Sequence, residues 1–155
     1  MKGFISYAHA DWDACDQFCK TLTPAARQFG IEFWTDWKIH TGQDWKQTIA
    51  DAVAAADVFV ALVSVESLYS SYISDYELPA MQARSQATGA LILPVVLNRC
   101  LWEYRFAATQ VAPTQRGRVA PIYDWKPKQN GFHAAAQQAA NSMRLYYSLS
   151  MKGTP

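Results

Sequence analysis

The chain has 155 residues, room for one domain with a full hydrophobic core. Half of the residues are hydrophobic and only 17% are charged, which excludes an intrinsically disordered chain. A net charge of +1 gives no electrostatic reason for nucleic acid or an anionic membrane as partner, and no apolar run reaches the length of a membrane span.

Residues 3–7 form the first predicted strand, and Met1 leads straight into it without the pattern of a signal peptide. Cys15, Phe18, Cys19 and Leu22 then mark a helix, which Pro24 is expected to end or kink. Cys15 and Cys19 are one turn apart and invite a metal reading, but they share an apolar stripe with Phe18 and Leu22. Buried thiols account for them, and no metal is expected. Three cysteines in all suggest a reduced compartment, and a cytoplasmic location is the expectation. A short strand is predicted at residues 31–34, followed by a loop over residues 37–44.

The second helix places Trp45, Ile49, Ala52, Val53 and Ala56 on one face, with Asp44 as N-cap and Gln47 positioned for a capping box. Residues 58–63 and 91–97 are almost wholly apolar, as strands buried on both faces read. Pro94 cannot donate to a ladder, so a bulge or an edge-facing amide position is expected there. Residues 98–118 show no period and read as loop with short turns, and a last strand is predicted near residues 119–122. Phe132, Ala136, Ala139, Met143 and Tyr146 form the stripe of the final helix. The domain is expected to span residues 1–147, with residues 148–155 a frayed tail or the start of a linker.

Strands alternating with helices predict a flavodoxin-like, five-stranded parallel sheet with helices on both faces. In that order a crevice opens beyond the carboxyl ends of the first and third strands, where the winding reverses. The segments that meet there are residues 8–11, the loop after Ser64 and the start of the helix bearing Glu77, bordered by the loop 37–44. On local sequence alone, Glu77 is an acid in the first turn of a helix, where the dipole favours it. Pro79 agrees with such an early position. There is no G-x-G-x-x-G after the first strand and no P-loop, which excludes a Rossmann dehydrogenase site.

Three segments in order carry a resemblance. They are Gly3-Phe4-Ile5-Ser6-Tyr7 running into Ala8-His9-Ala10-Asp11; Asp36-Trp37-Lys38-Ile39-His40-Thr41-Gly42-Gln43-Asp44-Trp45; and residues 58–64 followed by Ser70-Ser71-Tyr72-Ile73-Ser74-Asp75-Tyr76-Glu77-Leu78. This order resembles the TIR (Toll/interleukin-1 receptor) domain family over nearly the whole chain. Many bacterial members cleave NAD+ with one glutamate after the third strand, and Glu77 fills that position. The resemblance therefore implies an NAD+ hydrolase or ADP-ribosyl cyclase acting in bacterial anti-phage defence. NAD+ would be the substrate, and no cofactor is implied.

One carboxylate is enough for that chemistry. Nicotinamide is cationic in NAD+ and leaves neutral, so no acid is needed to protonate the leaving group, unlike ordinary glycoside hydrolysis. Positive charge develops on the ribose, where a fixed carboxylate opposes it. Capture by water gives ADP-ribose, and capture by the adenine of the same molecule gives a cyclic product.

The resemblance also implies an aromatic near Trp34 that stacks on a ring of the nucleotide, with Tyr7 and Trp37 as further candidates. Trp12, Trp45 and Trp102 are expected in the core. Backbone amides at Ala8 and His9 are candidates for the pyrophosphate. A solvated cap pair is the alternative for His9 and Asp11. Lys38 and His40 read as exposed loop residues that serve substrate or assembly.

Two positions depart from the family pattern. Ile73 stands where many TIR enzymes have tryptophan four residues before the glutamate, with Tyr72 adjacent. Ala8 replaces a basic residue after the first strand's tyrosine. TIR enzymes commonly act when stacked, the loop of one copy completing the site of the next. Other TIR domains and a separate sensor or effector are thus the implied partners, with Ile39 between Lys38 and His40 as a contact. The alternative reading is a TIR scaffold that needs the loop and assembly surfaces but no glutamate. A response-regulator receiver needs an aspartate at the end of the third strand, where Val63-Ser64 stands, and is excluded.

Overall fold

A computed structural model describes residues 1–35 and 44–153 of the chain. Among these, the parallel sheet has four strands, β1 (Lys2–Ser6), β2 (Glu32–Trp34), β3 (Val58–Val63) and β4 (Leu91–Val96), in the order β2-β1-β3-β4. Every residue of β3 is buried, because it is flanked by β1 and β4 and covered on both faces. Alternation along the strands then sends side chains into two cores. Ile5, Val58, Val60, Leu62 and Val95 pack with Cys15, Phe18 and Leu22 of α1 (Trp12–Gln28) and with Ala135, Ala139 and Met143 of α6 (Lys128–Lys152). Phe4, Phe59, Ala61, Val63 and Val96 pack with Ile49 and Val53 of α2 (Trp45–Ala55) and with Leu78 and Met81 of α4 (Leu78–Thr88). The buried-thiol reading of Cys15 agrees with its place beside Phe18 and Leu22, and Cys19 packs against the same cluster.

The predicted α/β architecture is present, with a difference at one edge. The place of a fifth strand beside β4 is taken by a single parallel bridge between Val95 and Ala112. Val96 donates to the Ala112 carbonyl at 2.8 Å and Ala112 donates to the Pro94 carbonyl at 3.0 Å. Leu97, of the opposite parity, donates inward to Val63. Pro94 shares parity with Val96, so its missing N–H faces this outer edge and leaves the β3–β4 ladder whole. Pro113 likewise has no amide to continue the pairing, and the Thr114 amide turns to the Gln138 side chain at 3.0 Å. The region expected as the last strand divides. Arg118–Val119 (β6) pairs antiparallel with Thr114–Gln115 (β5), while Ile122–Asp124 forms a 3₁₀ turn with Ile122 in the core.

Pro24 does not end the first helix, which runs on to Gln28. Pro24 and Lys20, whose carbonyl the proline leaves without a donor, are both exposed, so water can take that carbonyl. Asp44 caps α2 by accepting from the amides of Lys46 and Gln47. Gln47 does not complete a capping box, because its amide group donates to Asp51 instead. The last helix continues through the expected frayed tail to Lys152, with its final turns exposed. No helix among the described residues is long and apolar enough to cross a membrane.

Helix α6 starts under a tight constraint at Gly131, which is buried. A Cβ there would lie 2.7 Å from the Ile122 carbonyl oxygen and 2.8 Å from the Trp125 ring. Glycine to alanine in a helix ordinarily gains up to about 1 kcal/mol, whereas overpacking costs about 1–3 kcal/mol. The clash involves backbone and should win. Gly131→Ala is expected to lower the thermal unfolding midpoint, and an unchanged or raised midpoint would show that the Ile122–Asp124 turn yields freely.

Candidate active site

The order β2-β1-β3-β4 reverses direction between β1 and β3, and a cleft of about 520 Å³ opens where their carboxyl ends diverge. The end of β1 contributes Tyr7, Ala8, His9 and Ala10 to it. Helix α3 (Val65–Tyr69) and the segment after it contribute Glu66, Tyr69 and Ser70, α2 contributes Trp45 and Ile49, and Tyr72, Ile73 and Glu77 close the remaining wall. A second cavity, of about 720 Å³ between α2 and α4, shares Ile49, Tyr72 and Glu77 with the first. Glu77 therefore stands where the two meet. It is only 8% exposed, uncommon for a glutamate on a helix at the surface.

The turn that carries Glu77 is a π-helix, Ile73–Glu77, running directly into α4. Its cause is legible in Pro79. A proline ring presses on the carbonyl four residues back and offers no amide to it, which favours a widened turn there. Leu78 accordingly donates to Ile73, five residues back. In such a turn the neighbours on one face are four and five positions apart. Ile73, four before Glu77, is 6% exposed and sits in the core, while Tyr72, five before, lines both cavities beside Glu77. Burial and then the Glu77 charge push the Tyr72 phenol above its usual value. Tyr72, one residue before the position of the family's tryptophan, is thus the aromatic that lines the cleft beside Glu77.

Tyr72 belongs to an aromatic wall. Its ring lies 5.0 Å from that of Trp45 and 5.8 Å from that of Tyr76, the latter pair stacked. Trp45 is 47% exposed, contrary to the expectation of a core residue. It stands at the first position of α2, beyond the sheet's edge, so its stripe partner Ile49 reaches the core and Trp45 reaches the cleft. Trp12 is also exposed and tilts against Tyr7 at 6.5 Å, whereas Trp102 packs on the core.

Of the residues singled out from the sequence, Tyr7, Ala8, His9 and Glu77 come together in one cleft. Trp34 does not line it. Its ring stacks on Phe4 at 5.5 Å and lines a different cavity, with Lys2, Glu32, Thr48 and Asp51. Trp37, Lys38, Ile39 and His40 lie outside the described residues. Trp45, Tyr72, Tyr76 and Glu66 were not anticipated. The one signal available was the i,i+4 spacing of Tyr72 and Tyr76 just ahead of Glu77.

Asp11 is not a solvated cap. It is 7% exposed and accepts a hydrogen bond from the Ser64 hydroxyl at the end of β3. It makes no side-chain cap bond to α1. Ser64 also caps α3, accepting from the Ser67 amide at 3.0 Å while its own amide donates to Ser67 Oγ at 2.9 Å. The floor of the cleft is thereby tied together.

A family model described as "TIR domain" matches residues 4–138. The chain belongs to the TIR-domain family. It is 31% identical over 134 residues to the protein "Uncharacterized protein y4lF" of Sinorhizobium fredii (strain NBRC 101917 / NGR234). That match takes in 86% of this chain and 41% of the relative, so the chain spans less than half of that protein's length.

Burial raises the Asp11 carboxyl above the usual value of 3.8; the Ser64 bond opposes that shift and the nearby Glu66 charge adds to it. A raised folded value means that ionisation costs more folded than unfolded. The contribution of protonated Asp11 is complete below 3.8 and is lost as pH rises through the folded value. Asp11→Asn keeps an oxygen to accept from Ser64 and removes the charge. It is expected to be more stable than the wild type at pH 7, with the gap closing in thermal melts below about pH 3.8. A less stable variant at pH 7 would mean that the charged bond to Ser64 outweighs burial.

Proposed function

We propose that this TIR domain cleaves the bond between nicotinamide and ribose in NAD+, with Glu77 as the catalytic carboxylate. The observation that carries the reading is the position of Glu77, nearly buried at the junction of two cavities and flanked by aromatic rings. A dinucleotide needs room on both sides of its scissile bond, and the two cavities offer it. Nicotinamide in NAD+ is a flat cation, and Trp45 and Tyr72 present faces that attract such a ring. As the bond lengthens, the ring becomes neutral and the ribose takes up the charge, which the Glu77 carboxylate opposes in a partly dehydrated setting. The bonding pair leaves with nicotinamide. Water attacking the ribosyl carbon gives ADP-ribose and releases a proton; adenine attacking intramolecularly gives a cyclic ADP-ribose.

The pyrophosphate is the unfavourable end of the substrate. Glu66 and Glu77 make the cleft acidic, and Ala8 brings no cation to it. Among the described residues Lys46 of α2 and Arg84 of α4 line the adjoining cavity, and Lys38 and His40, outside the described residues, are further basic groups in the sequence just before α2. A neighbouring TIR domain would complete the site. Self-assembly, a separate sensor and a role in bacterial defence in the cytoplasm belong to the same proposal.

A scaffold function is the second reading. Tyr69, Leu101 and Tyr104 are 87%, 69% and 85% exposed, as residues of a TIR–TIR contact would be before assembly. A scaffold has no use for a dehydrated carboxylate beside aromatic rings, which favours the enzyme.

Two substitutions separate these readings. Glu77→Gln keeps the shape and removes the charge, and NAD+ turnover, followed by chromatography of nicotinamide and ADP-ribose, is expected to fall about a hundredfold or more. Equal turnover in a folded Glu77→Gln protein, or no turnover by wild type at high protein concentration, would leave the scaffold. Trp45→Ala is expected to weaken turnover by about 1–3 kcal/mol through lost stacking, with little change in melting temperature because Trp45 is half exposed. Unchanged kinetics would remove Trp45 from the site.

A further inference from the structure

Pro79 leaves a gap in the hydrogen bonding of the Glu77 turn, and a side chain from elsewhere in the chain fills it. After the Leu78 amide bonds the Ile73 carbonyl, the next amide of that series would come from residue 79 and reach the carbonyl of Ser74. Proline has no such amide. From another part of the chain, Arg105 of α5 (Glu103–Phe106) donates Nη2 to the Ser74 carbonyl at 2.8 Å in a part-buried contact. Charge-assisted bonds of this kind are among the stronger ones in proteins.

Ser74 is held on its other sides as well. Its amide donates to the Ser70 carbonyl and its hydroxyl to the Leu68 carbonyl, each at 3.0 Å. The base from which Arg105 reaches is rigid, since the adjacent Phe106 is 3% exposed in the same core cluster as Ile73 and Leu78. Arg105 itself lines neither of the two cavities that Glu77 joins. Its reach to the site is through the backbone of the turn.

We propose that Arg105 is a positioning residue for Glu77. By replacing the amide that Pro79 lacks, it holds the π turn in the form that aims the carboxylate and Tyr72 into the cleft. This rests on Glu77 being the catalytic group. Small misplacement of a reacting group is costly; about 1 Å can lower a rate by a hundredfold. A positioning role therefore shows in kcat, with KM little changed, while the Ser74 carbonyl turns to water.

The experiment compares Arg105→Met, which has a similar stem and no donor, with Arg105→Lys, which retains one. NAD+ turnover kinetics and amide hydrogen exchange at Glu77 and Leu78 are read in each. Arg105→Met is expected to lower kcat about tenfold or more, to leave KM within about twofold, and to speed exchange at those two amides. Arg105→Lys is expected to recover most of both. A folded Arg105→Met protein with wild-type kcat, or exchange unchanged at Glu77 and Leu78, overturns the proposal; so does Arg105→Lys behaving as Arg105→Met. If wild type cleaves no NAD+, the enzymatic reading fails and exchange alone judges the clamp. Faster exchange confined to that turn in Arg105→Met upholds it, and no change refutes it.

Discussion

The Ser64 hydroxyl at the end of β3 is the junction on which the cleft depends. It donates to Asp11 from the β1 side and accepts from Ser67 at the start of α3. One residue later, the Val65 amide donates to Asn98 Oδ1 in the segment following β4. Three chain segments that leave the sheet in different directions are thus bonded at one place. That place is the winding reversal between β1 and β3, where a parallel sheet must open because neighbouring connections diverge. The cost is a buried carboxyl, Asp11, held above its usual titration range. The return is a fixed floor beneath the aromatic wall.

Above that floor, proline and a wide turn decide what faces the opening. Pro79 could have begun a helix in the ordinary way, with Glu77 a solvated acid in front of it. Instead the helical path starts earlier, at Ser71, and the proline falls inside a continuous run that must widen to accommodate it. The widening buries Ile73 and turns Tyr72 outward beside Glu77. A sequence comparison position by position sees a missing tryptophan at residue 73. The fold places the neighbouring aromatic, Tyr72, in the cleft beside Glu77.

Much of the fold was legible because periodicity reports burial. The unbroken apolar runs at residues 58–63 and 91–97 announced strands covered on both faces, and β3 and β4 are the centre and flank of the sheet. Pro94 announced an edge-facing position, since its nitrogen carries no hydrogen and can leave a ladder whole only by facing an edge. Pro24 does not end α1, because a proline on an exposed helix face loses a bond that water replaces. Gln47 misled because Asp51, one turn on, competes for its amide group.

The site divides along a similar line. Strand order brings residues 8–11 and the start of the helix bearing Glu77 to the switch point, and the resemblance to TIR domains named Glu77 and Tyr7 there. Trp45 lines the cleft and Trp34 lines a different cavity, and nothing local could tell them apart. Both are tryptophans at the end of an element, but the rise of α2 past the sheet leaves Trp45 over the cleft, while pairing of Phe4 opposite Trp34 lays the latter on a phenylalanine ring. The sequence by itself determined the α/β architecture and the strand ends, which follow from hydrophobic pattern and chain order, while its resemblance to TIR domains singled out Glu77. Only the tertiary structure decided which aromatics surround that carboxylate and what holds its turn. Those depend on contacts between residues far apart in the chain, such as Arg105 with Ser74 and Trp45 with Tyr72, which no local pattern encodes.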